Sequence, residues 1–124
     1  MIPAYLIWQG INLVAGIRML KGAIYHFHAK DNDRSLQYSS DRCPDTKHYS
    51  DIENRAWVFR TVGYGTGEQK WKEMVTALKT AGYDGVMSIE HEDSMMSVKE
   101  GLEKAIALLK NVLVYEQPGE MWWA

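Results

Sequence analysis

The sequence predicts an α/β protein in which parallel strands carry helices on their outer face. Two stretches, 24–30 and 85–90, alternate between apolar and polar side chains, as expected for strands with one face in a core. Helical patterns lie between and after them, and alternating strands and helices are typical of a parallel sheet with right-handed crossovers. Both strands become polar toward their carboxyl ends, where the active sites of parallel α/β proteins open.

The first third of the chain predicts a strand, a helix and a second strand. Residues 4–9 are a short apolar run that we interpret as a strand, and Asn12 supplies a helix cap. Apolar residues at helical spacing then predict a helix over 13–20, which ends at Gly22. In the strand at 24–30, one side carries Ile24, His26, His28 and Lys30, and the other carries Tyr25, Phe27 and Ala29.

The middle of the chain has no sustained period, so we predict a long loop over 31–57, and loops of this length are usually functional or disordered. Residues 57–62 are extended and apolar enough for a short strand or an ordered loop edge. Residues 63–65, Gly-Tyr-Gly, are too brief for a nucleotide-binding fingerprint and predict a turn.

Two helices follow, and each is predicted from a capping box and an apolar stripe. Residues 66–69 are a capping box for a helix that ends at Gly82, with Trp71, Met74, Val75 and Leu78 on one face. Residues 97–100 are a second box, and the stripe that follows it is Leu102, Ala105, Ile106, Leu109 and Leu113. The tail, 116–124, ends in Trp122 and Trp123, which we expect to pack on another surface.

The chain has 124 residues, a length that corresponds to a single domain. The 14 Lys and Arg balance the 16 Asp and Glu, which argues against nucleic-acid binding. Cys43 is the single cysteine, so no internal disulfide or cysteine zinc cluster forms. The amino-terminal run lacks the features of a signal peptide and is too short and polar to span a membrane. We therefore expect a cytoplasmic protein whose partners are small molecules or protein chains.

The polar residues at the ends of the two strands suggest a metal half-site. Imidazole from His26 or His28 together with the carboxylate of Glu90 suits manganese, cobalt, zinc or iron. The alternative is that His26 is a hydrogen-bonded core histidine and that His28 is polar lining.

Three cations are candidates for substrate binding: Lys30, Arg34 and Arg60. Each has the chemistry to hold a phosphate or sugar hydroxyls. The alternative is that they are solvated or paired with the many aspartates nearby.

Three separated motifs resemble the sugar phosphate isomerase/epimerase family, the xylose isomerase-like TIM barrels. They are His26-Phe-His28-Ala-Lys-Asp31, Arg55-Ala-Trp57-Val-Phe-Arg60-Thr-Val-Gly-Tyr-Gly65 and Gly82-Tyr-Asp-Gly-Val-Met-Ser-Ile-Glu90-His-Glu-Asp93. They occur in the family's order, and the resemblance runs from about Leu6 to Leu113.

The resemblance implies an eight-stranded barrel that binds a divalent metal (manganese, cobalt, zinc or magnesium) through a Glu, an Asp, a His and a final Glu. His28 corresponds to the histidine ligand, Glu90 to the final glutamate, which is also the expected catalytic base, and Arg34 to a substrate-contacting arginine. Ile2 and Tyr5 stand where the family has its Asp ligand and a nearby His. The first Glu would lie before Met1, so two of four ligands remain and we expect weak or absent metal binding.

The resemblance implies that the chain is a partial TIM barrel. It corresponds to about the last three βα units of a barrel that needs about 250 residues. The implied function is metal-assisted aldose–ketose isomerisation or epimerisation of a sugar or sugar phosphate, impaired by the missing ligands. The alternative is a non-catalytic barrel fragment that acts as an oligomeric structural module. A DNA-repair endonuclease of the same superfold is disfavoured by the charge balance. Because open strand edges tend to pair, we expect a homodimer or higher oligomer.

Overall fold

The structure, a computed structural model, describes residues 1–34 and 47–123. In chain order the elements are α1 (Pro3–Trp8), α2 (Leu13–Met19), β1 (Phe27–Ala29), β2 (Asp31–Asp33), a 3₁₀ turn (Ile52–Asn54), β3 (Val58–Arg60), α3 (Glu68–Thr80), β4 (Met87–Ile89) and α4 (Val98–Val112).

The two strands that organise the fold pair in parallel, as predicted. In β1 and β4, Phe27 lies opposite Met87 and Ala29 lies opposite Ile89. The other edge of β1 is bonded to Met1, which donates from its amino group to the His26 carbonyl at 2.5 Å and accepts from the His28 N–H at 2.9 Å. This alternation is the hydrogen-bond pattern of a parallel neighbour.

One face of this sheet packs on the helices and forms the core. Phe27 and Ala29 are completely buried, and Met87 and Ile89 pack against the same cluster. The helices contribute the remaining core side chains, among them Ile17 of α2, Trp71, Met74 and Leu78 of α3, and Leu109 of α4. The opposite face of β1 and β4 carries polar side chains, and the candidate site lies on this face.

The strand predicted at 4–9 is wrong, because Pro3–Trp8 is a helix. Pro3 suits the first turn of a helix, where its missing N–H is not needed, and Gly10, at φ +72°, ends the segment. A short apolar run cannot by itself distinguish a strand from a buried helix.

The strand at 24–30 is shorter than predicted. Its ladder begins at Phe27, and Tyr25, which alternation assigns to the apolar face, is 89% exposed. Ile24, assigned to the polar face, packs against the core instead. Ile24 and Tyr25 lie before the ladder with β4, where no paired strand fixes their faces, so alternation does not govern these two residues.

The loop predicted over 31–57 begins with a strand instead. β2 pairs antiparallel with β3, placing Asn32 opposite Phe59, and the short strand predicted within 57–62 is thereby confirmed. Residues 35–46 of this loop lie outside the described residues.

Asp31 joins this strand pair to the start of α3. Its carboxylate accepts hydrogen bonds from the backbone N–H groups of Gly63, Gly65 and Thr66, and from the Trp71 indole at 3.1 Å. Burial raises the pKa of Asp31, although these hydrogen bonds act in the opposite direction. The turn at 63–65 therefore wraps around a buried carboxylate.

The two long helices differ in how they begin. Ser97 caps α4 as predicted, because its hydroxyl accepts from the Glu100 N–H at 3.2 Å. The capping box predicted at 66–69 is wrong: α3 begins after Gly67 without a side-chain cap, and the Thr66 hydroxyl donates to Asp31.

The predicted apolar stripes largely face the core. All four stripe residues of α3 are buried, whereas in α4 Ala105 and Leu109 are buried and Ile106 is 43% exposed. In the tail, the rings of Trp122 and Trp123 contact each other and stay exposed. Within residues 1–34 and 47–123, no helix has the length and apolar character needed to cross a membrane.

Candidate functional site

A row of polar side chains follows the open face of β1 and β4. His26 Nε2 lies 2.8 Å from the Ser88 hydroxyl, which in turn lies 3.3 Å from His28 Nδ1. His28 Nδ1 is 3.6 Å from Glu90 Oε2. The parallel register places these residues side by side, because His28 lies opposite Ser88. His28 and Glu90, about sixty positions apart in sequence, thus meet at the carboxyl end of the strand pair.

Lys30 lies behind this row and holds two carboxylates together. Its Nζ is 2.7 Å from Glu90 Oε1, 2.6 Å from Glu92 Oε2 and 4.0 Å from the centre of the Phe59 ring. Burial acts to lower the pKa of Lys30, but the hydrogen bonds to Glu90 and Glu92 outweigh it and raise the pKa above its ordinary value. Only 2% of Lys30 is exposed, so it is a fixed, buried positive charge.

Arg60 forms the second ion pair of the site, with Asp93. Arg60 Nε lies 3.1 Å from Asp93 Oδ2, and Asp93 also accepts from the N–H groups of Thr61 and Met95. Burial opposes ionisation of Asp93, but these three donors lower the pKa of its carboxyl below the ordinary value. The ion pair ties β3 to the segment that follows β4.

Arg34 occupies a different position, beside α1. Its Nη1 donates to the Ile7 carbonyl at 3.2 Å, and the same nitrogen lies against Gly10. The three predicted substrate-binding cations are therefore divided: Lys30 and Arg60 contact the acidic residues at the end of β4, and Arg34 contacts the helix next to them.

A cluster of aromatic rings borders Lys30. We call Tyr5, Trp8, Trp57 and Phe59 the aromatic wall. Trp8 is 5.2 Å from Tyr5, 4.6 Å from Trp57 and 6.0 Å from Phe59, ring centre to ring centre. Phe59 is buried, Trp8 and Trp57 are half-buried, and Tyr5 is 40% exposed. Lys30 Nζ lies 6.0 Å from the Tyr5 ring, so the wall adjoins the carboxylates.

The residues of this site do not complete a metal centre. His28 and Glu90 have suitable chemistry, but one Glu90 oxygen already accepts from Lys30. In the described parts of the chain, no group of three or more His, Cys, Asp or Glu is arranged to hold an ion. Two ligands leave a cation largely hydrated and poorly oriented.

Several residues of the site were not identified from sequence. Glu92 and Asp93 are two of them, and the signal for both is the acidic run Glu90-His-Glu-Asp93 at the end of a strand. The aromatic wall gave no such signal, because its members lie on α1 and at positions 57 and 59 and meet only in the tertiary structure.

A cavity of about 590 Å³ lies at the opposite end of β4. Its lining includes the 82–85 segment, the end of α3 and residues 113–115. None of the residues that line it belongs to the row at His28 and Glu90, so this cavity is separate from the site.

Comparison with known proteins finds similarity over most of the chain. Over 113 residues the chain is 37% identical to the uncharacterized protein YfiH of Bacillus subtilis (strain 168), and the match covers 90% of this chain. The chain spans about a third, 36%, of that relative's length. Residues 4–112 match the family described as xylose isomerase-like TIM barrel. With its parallel strand pair, outer helices and no closed barrel among the described residues, the chain belongs to the xylose isomerase-like TIM-barrel family as a partial barrel.

Proposed function

We propose that this chain carries the carboxyl-terminal part of a sugar isomerase or epimerase site, in which Glu90 moves a proton beside a carbonyl group. The observation that carries the proposal is the meeting of His28, Glu90 and Lys30 at the carboxyl end of β1 and β4. Active sites of TIM barrels lie at this end of the strands.

Glu90 is the proposed catalytic base. Its side chain is 37% exposed and therefore accessible to a ligand, while Lys30 fixes one of its oxygens. A base needs this combination of accessibility and defined orientation. His28 is the second proposed contact of the same ligand, because its side chain is 41% exposed and its Nδ1 lies 3.6 Å from Glu90 Oε2.

The three cations have distinct proposed roles. Arg60 and Arg34 are the proposed donors of guanidinium N–H groups to substrate hydroxyls, a contact that suits the planar fork of an arginine. Lys30 is too buried for extensive substrate contact, and its contribution is to orient Glu90 and Glu92.

The proposal includes a divalent metal (manganese, cobalt, zinc or magnesium) only if further ligands join the two that the described residues supply. His28 and Glu90 are the residues that would contact it. We expect weak binding by this chain, and tight stoichiometric binding that survives the double change His28→Ala and Glu90→Ala would contradict the assignment.

The test is exchange of solvent deuterium into the carbon next to the carbonyl of common ketoses and their phosphates. We expect slow exchange that falls by a factor of about 10² or more in Glu90→Gln, in line with the usual contribution of a general base. Glu103→Gln is the matched control, because Glu103 lies exposed on α4. Exchange that is equal in the two variants would exclude Glu90 as the base.

The second candidate function is a non-catalytic, oligomeric barrel fragment. It is favoured by the incomplete ligand set and by Ile2 and Tyr5 at the positions of the missing Asp and His. Complete absence of deuterium exchange together with stable self-association would support it.

A further inference from the structure

We infer that the cavity at the amino end of β4 is an interface between two copies of this chain, and that it receives the Trp122–Trp123 end of the tail of a second copy. The inference goes beyond the proposed function, because none of the residues that line the cavity belongs to the row at His28 and Glu90. Three features carry it: the lining of the cavity, the course of the tail, and the area that a reciprocal exchange of tails would bury.

The cavity opens onto the edge of the hydrophobic core. Leu78 of α3, Met87 of β4 and Leu113 after α4 line it, and Met87 and Leu113 are only half-buried. Among the described lining residues the charged ones are Lys79 and Asp84, and both are exposed. An apolar interior with a polar rim is the usual anatomy of a protein interface. One cation and one anion leave the lining without net charge, which favours an uncharged apolar occupant over an ion.

The tail begins at the rim of this cavity. Residues 113–115 and Gln117 line it, and Lys79 Nζ donates to the Glu116 carbonyl at 3.1 Å. The start of the tail is therefore held beside the cavity. Residues 117–121 contain no turn that would return the chain to it. The cavity thus stays open in the single chain, while the tail continues past it.

The end of the tail carries an apolar group of the kind that the cavity accepts. Trp122 and Trp123 are 87% and 69% exposed, and their rings lie edge to face with centres 5.6 Å apart. Met121 beside them is 63% exposed. Exposed apolar groups that cluster in this way mark interaction sites, and tryptophan is enriched among the residues that dominate interfaces. The carboxylate of Asp84 and the amide oxygen of Gln117 at the rim can accept from the indole N–H groups.

A reciprocal exchange of tails would bury the area that a stable dimer needs. Each indole buries about 150–250 Å², so the four indoles of two tails bury about 600–1,000 Å². The linings that they cover lose a similar area, and the total of about 1,200–2,000 Å² is that of a standard protein interface. A two-fold dimer uses the same patch on both copies. Because each chain carries one cavity and one tail, such a dimer would fill both cavities at once.

The first test is sedimentation equilibrium of the full chain at a series of micromolar concentrations. We expect a dimer whose dissociation constant rises by a factor of about 10² or more in the double variant Trp122→Ser and Trp123→Ser, since each lost aromatic anchor commonly costs about tenfold or more. Both indoles are exposed in the single chain, so this variant should keep its fold. Met19→Ser, at an 86% exposed residue of α2 outside the cavity, is the matched control and should leave the dissociation constant unchanged.

A mixing experiment separates exchange between copies from closure by a chain's own tail. Val114→Glu places a charge in the cavity and keeps the tail intact, and Val98→Glu, at a valine of similar exposure on α4, is its control. Neither Val114→Glu nor the double tail variant should dimerise alone. Their mixture should form a heterodimer, because the intact tail of one variant fits the intact cavity of the other.

Three outcomes overturn the inference. A wild-type chain that stays monomeric excludes it, whether its own tail or a small molecule fills the cavity. A dimer that the double tail variant leaves unchanged uses another surface. A mixture that associates no better than its separate components shows that the tails do not cross between copies.

Discussion

At the scale of single residues, Asp31 is a buried carboxylate that anchors the start of α3. One oxygen accepts from the Asn32 N–H and from the N–H and hydroxyl of Thr66, and the other accepts from Gly63, Gly65 and Trp71. All of these groups are donors. They match a carboxylate, because both of its oxygens accept hydrogen bonds, and they do not match an amide, because its NH₂ group only donates.

Asp31→Asn should therefore destabilise the protein by about 3 kcal/mol, because the new NH₂ group would face donors in a buried site. The measurement is the free energy of unfolding in urea. Asp84→Asn, at an exposed loop position, is the control and should change it by less than about 0.5 kcal/mol. A small effect at both positions would show that Asp31 is not a structural anchor.

Ionisation of Asp93 makes the free energy of unfolding depend on pH. Its pKa is lowered in the folded protein by donors that outweigh the opposing effect of burial, so folding favours the ionised carboxylate. The stabilisation is then fully present above the ordinary aspartate pKa of about 4 and is lost as the pH falls through the lowered value.

Replacing Asp93 by Asn should cost about 2 kcal/mol at pH 7, the usual contribution of charged hydrogen bonds. The difference in the free energy of unfolding between wild type and variant should shrink below about pH 4. Urea unfolding at a series of pH values measures this difference. An equal gap at pH 3 and pH 7 would mean that ionisation of Asp93 does not contribute.

At the scale of elements, the turn between β3 and α3 depends on Gly63. Its φ is +90°, which favours glycine, and a Cβ at this position would lie 2.2 Å from the Leu108 side chain of α4. Gly67, the residue that precedes α3, has φ −65° and open space around it.

Gly63→Ala should lower the free energy of unfolding by about 2 kcal/mol or more, from backbone strain and the clash together. Gly67→Ala is the matched control and should change it by no more than about 1 kcal/mol, the cost of a poorer helix cap. Thermal or urea unfolding of the pair measures this difference, and similar values would show that the turn relaxes freely.

At the scale of the whole molecule, the exposed apolar surface suggests self-association. Val86, just before β4, is 69% exposed, Tyr25, two residues before β1, is 89% exposed, and the tail adds Trp122 and Trp123. Open strand edges and apolar faces tend to pair with another chain, and two-fold dimers are the commonest result.

We predict a dimer or higher oligomer in sedimentation equilibrium at micromolar concentration. Val86→Lys should weaken association, whereas Val98→Lys, at a similarly exposed valine on α4, should not. A monomer whose unfolding is independent of protein concentration would contradict this prediction.

The sequence by itself determined the strands at β1 and β4, the helices α2, α3 and α4 and the family, because long periodic stretches and three ordered motifs are local signals. The sequence prediction was wrong at residues 4–9, because a short apolar run fits a helix and a strand equally. It was also wrong at the N-cap of α3, because the Thr66 hydroxyl donates to Asp31 and does not cap the helix.

Only the tertiary structure decided the composition of the site. Residues from 28 to 34 and from 90 to 93 already carried the candidate chemistry in the sequence. Packing determined that Lys30 is buried between Glu90 and Glu92, that Arg60 is paired with Asp93, and that Tyr5 joins an aromatic wall. The physical reason is that ion pairing and ring contacts join residues far apart in the chain, and their partners are fixed by strand register and helix position, which no local pattern encodes.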